Sequence, residues 1–315
     1  MIGSFRVENW KHSFMRHPAE DFYKAIESNT KSIGVVVDGV TCDPFKQLPP
    51  MTGMIGPVGN FIFSFAYPRP SRVQEVSDLA LSRLIHGLNY KDLENMDSIK
   101  DIFEDANESI RIKNCYDGIF PETNDYLKNW YAGCVASAFL HDKIERTMYY
   151  NYIADCGVAI FRKLDFFWMT EDQGPRKFEK ERQEVLKQFG LKWEMPKCRR
   201  LIRRDYINHP SQKYSYGVLN GQPEAMHYVS SGKLDTEPGD ILLAYTDGVA
   251  DTLKSGEALD FLRHSNFSGL QKLCQKNVQH EGALVYEHST DAEKKFLKKA
   301  FENLNREHLN VNCNY

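Results

Sequence analysis

Residues 237–251 read Glu-Pro-Gly-Asp-Ile-Leu-Leu-Ala-Tyr-Thr-Asp-Gly-Val-Ala-Asp. Pro238-Gly239 makes a turn. The apolar run Ile241–Tyr245 then reads as a buried strand, and it stops at Thr246-Asp247-Gly248. The same pattern occurs near the start of the chain. Ser32–Val37 is an apolar strand ending in Asp38-Gly39. A rigid buried strand fixes the carboxylate at its tip, and a carboxylate just outside a dry core can bind a hard cation. Glycine beside it lets the backbone come close to a metal or a bound water. If the two tips met in space they would repel by several kcal/mol at intermediate dielectric, and a divalent ion would remove that repulsion. Asp-Gly is also ordinary turn chemistry after a strand, so the pair acquires meaning only from its neighbours.

Working outward, Gly59–Tyr67 reads as a strand stopped by Pro68 and Pro70. Val73–Leu88 has helical spacing at Val76, Leu79, Ala80, Leu84 and Leu88. Further helices are expected over Ile99–Arg111 and Asn124–Trp130. Gly133–His141 reads as a strand, with Thr147–Ala154 and Gly157–Arg162 as its partners through Asp155-Cys156. Glu171–Gln188 is charged and reads as a solvated segment or helix. Met226–Val229 and Ala283–Glu287 read as strands. The tail from Ser289 to Asn305 begins with a capping pattern and continues as an amphipathic helix. Many strands with two long helices fit an α+β layered domain better than an alternating βαβ one.

The bulk properties exclude several classes. The chain has 315 residues, 42% of them hydrophobic, enough for a sizeable core. A formal charge of −3 gives no global case for nucleic acid. The 7 cysteines are scattered and form no CxxC pair, which argues against a disulfide framework or a zinc finger. The 10 histidines make no HxH or HxxxH pair. Trp10, Trp130, Trp168 and Trp193 read as packing residues. There is no apolar run near the roughly 20 residues of a spanning helix and no apolar leader, so the expectation is a cytoplasmic protein without a membrane role.

The neighbours of the two Asp-Gly tips occur in a telling order. Arg16-His17-Pro18-Ala19-Glu20-Asp21 precedes Val37-Asp38-Gly39-Val40. Ala132-Gly133-Cys134-Val135-Ala136 follows, then Ile153-Ala154-Asp155-Cys156-Gly157-Val158-Ala159, and last the stretch through Asp251. Together these motifs resemble the metal-dependent protein phosphatases of the type 2C-like family, in family order over roughly residues 16–287. The resemblance implies an αββα sandwich, two antiparallel sheets flanked by helices, over residues 1–288. It implies a variable flap at about 163–213 and leaves residues 289–315 as a C-terminal helical extension. The active site would lie where strand ends meet at one edge of the sandwich.

The resemblance also implies roles. Asp38 would bridge two Mn²⁺ or Mg²⁺ ions, with Asp247 on the first and the Gly39 carbonyl and Glu20 on the second. Asp155 and Asp251 match positions that can hold a third, looser ion, and Arg16 would grip the substrate phosphate. The implied reaction is hydrolysis of phosphoserine or phosphothreonine in a phosphorylated protein by metal-activated water, with no nucleophilic cysteine or serine. The chain departs from the family in three places. Val40 stands where a histidine is usual, and Asp155-Cys156-Gly157-Val158 lacks the usual Ser-Arg. No Asp-Asp or Asp-Asn pair opens the last core strand. Glu281 is the best-placed substitute there, either as a metal ligand or as a turn residue, while a second alignment puts Glu307–Val311 in its place. The basic residues Lys197, Arg199, Arg200, Arg203 and Arg204 read either as a solvated face or as a receptor for a phosphorylated acidic substrate. Two alternatives stay open: a regulatory pseudophosphatase that binds without turnover, and an enzyme acting on a small phosphorylated molecule.

Overall fold

The structure, a computed structural model, describes residues 1–8, 19–40, 70–90, 96–118, 132–188, 190, 196–278 and 281–288. Arg16, the strand expected at Gly59–Tyr67, the helix expected at Asn124–Trp130 and the C-terminal tail lie outside them. In chain order the strands are β1 (Ile2–Glu8), β2 (Phe22–Glu27), β3 (Lys31–Val40), β4 (Gly133–Asp142), β5 (Thr147–Tyr152), β6 (Gly157–Arg162) and β7 (Asp165–Met169). They continue with β8 (Ser230–Asp235), β9 (Ile241–Tyr245) and β10 (Glu281–His288). The helices are α1 (Arg72–Tyr90), α2 (Met96–Tyr116), α3 (Glu179–Gln188), α4 (Pro196–Tyr206), α5 (Asp247–Leu253), α6 (Gly256–Arg263) and α7 (Phe267–Asn277).

Two 5-stranded sheets result, ordered β1-β10-β9-β6-β7 and β2-β3-β4-β5-β8, with antiparallel pairing throughout. Side chains alternate across a strand with period two, and this explains the layering. Val35 and Val37 of β3 pack with α1 and α2, while Val36 between them packs against the other sheet. Leu243 and Tyr245 of β9 pack with α5–α7, while Leu242 and Ala244 face Val36, Ala283 and Val285. Both faces of these strands are therefore dry, and their sequences are apolar without a break. The expected αββα sandwich is the fold observed.

Three local expectations change. β6 does not pair with β4: it joins β9 and β7 in the opposite sheet, so Ile153–Cys156 is a crossing between sheets and not a hairpin. Met226–Val229 is not a strand, because Pro223 starts a 3₁₀ turn over Pro223–His227 and the strand begins only at Ser230. β3 does not stop before Asp38-Gly39 but carries both residues, paired with Val135 and Cys134. The charged segment does contain a helix, α3, and its Arg182 is fully buried.

Candidate metal centre

Strand parity places the first carboxylate. Asp38 lies two residues after Val36 and so points to the side between the sheets, at the end of the inter-sheet core. Gly39 then allows a close approach: a Cβ there would stand 2.7 Å from Glu20 Cβ and 2.5 Å from a Val73 methyl. Glu20-Asp21 is thus pressed against β3 just before β2 begins. The start of α1 holds it in place. Ser71 and Gln74 cap that helix reciprocally, each side chain accepting the other's backbone N–H at 3.0 Å. Ser71 Oγ also donates to Glu20 Oε1 at 2.9 Å, and Gln74 Nε2 donates to the Ala19 carbonyl at 2.8 Å.

The second Asp-Gly tip closes onto the same place. Thr246 follows β9, its Oγ1 donating to Asp21 Oδ2 at 2.8 Å and accepting from Ala283 N–H at 2.9 Å. Asp247 begins α5. Gly248 is required by packing, since a Cβ there would fall 1.7 Å from the Glu281 carbonyl oxygen. That contact seats the first residue of β10 beside the cluster. Glu281 Oε1 accepts the Glu20 N–H at 2.7 Å. Asp155 arrives from the crossing between β5 and β6, with Gly174 packed on its Cβ side.

Glu20 and Asp21 are 1% exposed and Glu281 9%, so they form a buried rear wall; Asp38, Asp155 and Asp247 are partly exposed in front. Burial raises Asp38 well above the usual carboxylate range, and the charges of Asp21, Asp247 and Asp155 add to it. Asp21 is pushed up to about 7, by burial first and by Asp247 against the pull of its hydrogen bonds. Asp155 also rises to about 7, through burial and the charges of Asp247 and Asp172. Glu281 rises to about 9, through burial and Asp21, with the Glu20 N–H opposing. Cys156, next to Asp155, is raised well above its ordinary value by burial and then by Asp38, so it stays a thiol and is no nucleophile.

Among the described residues, no group of three or more His, Cys, Asp or Glu side chains is spaced to hold a metal ion as it stands. The donor chemistry nonetheless suits a hard divalent cation. The donors are carboxylate oxygens under mutual repulsion. Two of them, Asp21 Oδ1 and Glu281 Oε2, are buried and receive no hydrogen bond from any described residue.

The arrangement can be set beside solved structures. The Mycobacterium tuberculosis serine/threonine phosphatase PstP superposes with a TM-score of 0.55 at 14% identity, over 92% of this chain and 99% of that one. The PstP catalytic domain in complex with two manganese ions gives 0.54 at 12%, over 92% and 98%. The photosystem II phosphatase PBCP gives 0.56 at 9%, over 92% and 98%. The chain has the type 2C-like phosphatase fold. At these identities the likeness is one of fold. No protein-family model and no curated protein matches the sequence.

Within this phosphatase fold, the structure brings Glu20, Gly39, Asp38, Asp155, Asp247 and Glu281 to one end of the sandwich. Asp251 lies on α5 one turn beyond Asp247, with its side chain 82% exposed. Two participants escape the sequence reading. Asp21 stands inside the Glu-Asp motif, but only burial reveals that its carboxyl belongs to the cluster. Arg176 reaches Asp247 Oδ2 at 2.8 Å and Asp251 Oδ2 at 3.4 Å, and no motif marks it. The described part of the basic stretch gives Arg204 bonded to its neighbour Asp205 at 2.5 Å. No helix among the described residues is long and apolar enough to cross a membrane.

Proposed function

We propose that the chain is a metal-dependent phosphatase acting on phosphoserine or phosphothreonine in proteins. One observation carries the reading. Strand ends far apart in sequence bring Asp38, Asp155 and Asp247 within reach of one another's charge, with Asp21 beside Asp38 and Asp247, and Glu281 beside Asp21. Like charges packed into an interior are costly unless a cation or protons offset them. Asp38, Asp247, Glu20, the Gly39 carbonyl and Glu281 would hold two Mn²⁺ or Mg²⁺ ions, and Asp155 with Asp251 a looser one. Such ions, when bound, acidify water toward neutrality and offset phosphate charge. Arg16 would hold the phosphate as a bidentate donor. Among the fold neighbours, the PstP domain with two manganese ions supports the choice of metal.

The second reading is a regulatory module with the same fold and little turnover. It is favoured by Glu281, whose Oε1 is engaged as an acceptor for the Glu20 backbone. Hydrolysis of p-nitrophenyl phosphate and of a phosphothreonine peptide, with and without Mn²⁺, separates the two. Mn²⁺-dependent turnover with preference for the peptide is the expected result. An inert protein whose melting temperature ignores Mn²⁺ would sink the metalloenzyme reading. Preference for small phosphomonoesters would keep the chemistry and change the substrate class.

A further inference from the structure

The acidic end of the sandwich has a cation of its own. Arg176 places Nη2 2.8 Å from Asp247 Oδ2 and Nη1 3.4 Å from Asp251 Oδ2, one guanidinium spanning both carboxylates. Asp247 and Asp251 are four residues apart on α5, so they share a helix face and can be bridged. The arginine is 41% exposed, but the loop that delivers it is fastened just before it. Upstream, Gln173 N–H donates to the Ala154 carbonyl at 2.9 Å and Gly174 N–H to Asp172 Oδ1 at 2.7 Å. Gly174 lies against Asp155, where a Cβ would stand 2.6 Å from the aspartate Cβ. Adjacent to Arg176, the Pro175 carbonyl accepts from Arg182, which also donates to the Tyr214 carbonyl. Arg182 is fully buried and lies over the rings of Tyr216 and Tyr206, at 5.3 and 5.8 Å from their centroids. A buried guanidinium with carbonyl and aromatic partners is an expensive anchor, and here it holds the carbonyl of the residue immediately before Arg176.

We propose that Arg176 is the resident counter-ion of the outer carboxylate pair Asp247–Asp251 and competes there with divalent cations, so that metal loading requires its guanidinium to move aside. This rests on the metal reading given above and adds a regulatory residue to it. A carboxylate oxygen bonded to a guanidinium cannot at the same time give that lone pair to an ion. A partly exposed ion pair is weak, so Arg176 yields to a doubly charged ion and does not exclude it. An ion at the position expected for Asp155 and Asp251 has to displace the same group. The anchored loop makes the competition a fixed property of the fold and not a chance surface contact.

Calorimetric titration of the full chain with Mn²⁺ alone, without substrate, tests this. R176A and the bulkier R176Q are expected to bind Mn²⁺ about tenfold more tightly at the weakest site, the scale on which a close charge biases a carboxylate. R176K, which keeps the charge, is expected to stay near wild type. Adding D251N to R176A is expected to remove the gain. Wild type binding Mn²⁺ while R176A and R176Q titrate identically to it would overturn the inference and leave the metal reading intact. No binding by wild type or variants would overturn both. A gain in R176K equal to that in R176A would also count against it, since loss of charge would then not be the cause.

Discussion

Strand β10 carries a glutamate at each end, and the two live in opposite surroundings. Glu281 and Glu287 share the parity of Ala283 and Val285, so both point between the sheets, at the two ends of the same core. Glu287, 2% exposed, meets His141 Nδ1 at 3.1 Å and Lys143 Nζ at 3.9 Å. Lys143 in turn binds Glu27 at 2.8 Å, and nearby Arg162 clasps Asp240 at 2.8 and 2.9 Å. At that end the acids have basic neighbours, although Glu287 Oε2, like Glu281 Oε2, receives no hydrogen bond from a described residue. At the other end Glu281 faces Asp21 and Glu20, with a backbone N–H on one oxygen. The same residue type on the same strand face is thus balanced at one end and left among like charges at the other. Like charges gathered at one end of a strand whose other end has basic partners mark a candidate functional site.

The largest effect expected from this contrast is on chemistry. Asp38→Asn removes the carboxylate at the centre of the unbalanced end and keeps its shape. Turnover with Mn²⁺ should fall on the order of 10³-fold, the size typical of losing one group that stabilises developing charge. Circular dichroism should be unchanged, because the backbone of Asp38 is held in β3 by pairing to Val135. Full activity in the variant would end the proposal.

How much of this contrast is visible before folding depends on what each residue touches. Ile241–Tyr245 and Ser32–Val37 are legible because both faces are buried, which leaves an unbroken apolar run up to the Asp-Gly tip. Gly157–Arg162 is legible as a strand but not as a member of its sheet. The spacing between β5 and β6 allows a hairpin as well as a crossing, and only packing of Val158 and Ile160 against Leu242 and Val36 decides between them. The edge strands β1, β2 and β7 go unseen because they are short and carry exposed charges, Arg6, Lys24 and Asp165, of the kind common on edges. Asp38, Asp155 and Asp247 can be picked out from motif order, and Glu281 only as one of two alternatives at a place where the family motif is missing. Asp21 and Arg176 cannot, because what matters about them is burial and a partner 71 positions away.

Exchanging the two glutamates for glutamine sharpens the comparison with a smaller effect. Glu287→Gln leaves Lys143 with less buried compensation and should destabilise by about 3 kcal/mol, at the lower side of broken buried pairs because Glu27 remains. Glu281→Gln should do the reverse in metal-free protein. A carboxyl held at about 9 is protonated in the folded chain at neutral pH but ionised in the unfolded one; taking up that proton costs stability, and the neutral amide removes the cost, worth roughly 1–3 kcal/mol. Urea unfolding of both variants with chelator present reads the signs directly. Destabilisation by both would mean that the two ends are equivalent after all.

The mildest handle is pH. Asp21 and Asp155 stand at about 7 and Glu281 at about 9 in the folded chain, all above their values of 3.8 and 4.5 when unfolded. Between those limits the folded state holds more protons, so metal-free protein should gain stability as pH falls from about 9 toward 5. The gain should be complete only near the unfolded values and should reach several degrees in Tm. Divalent cations require the ionised carboxylates, so Mn²⁺ should raise Tm mainly at the alkaline side and flatten the profile. A metal-free Tm that climbs with pH over this range would mean that the carboxylates already have their counter-charge, and the asymmetry between the two ends of β10 would lose its functional meaning.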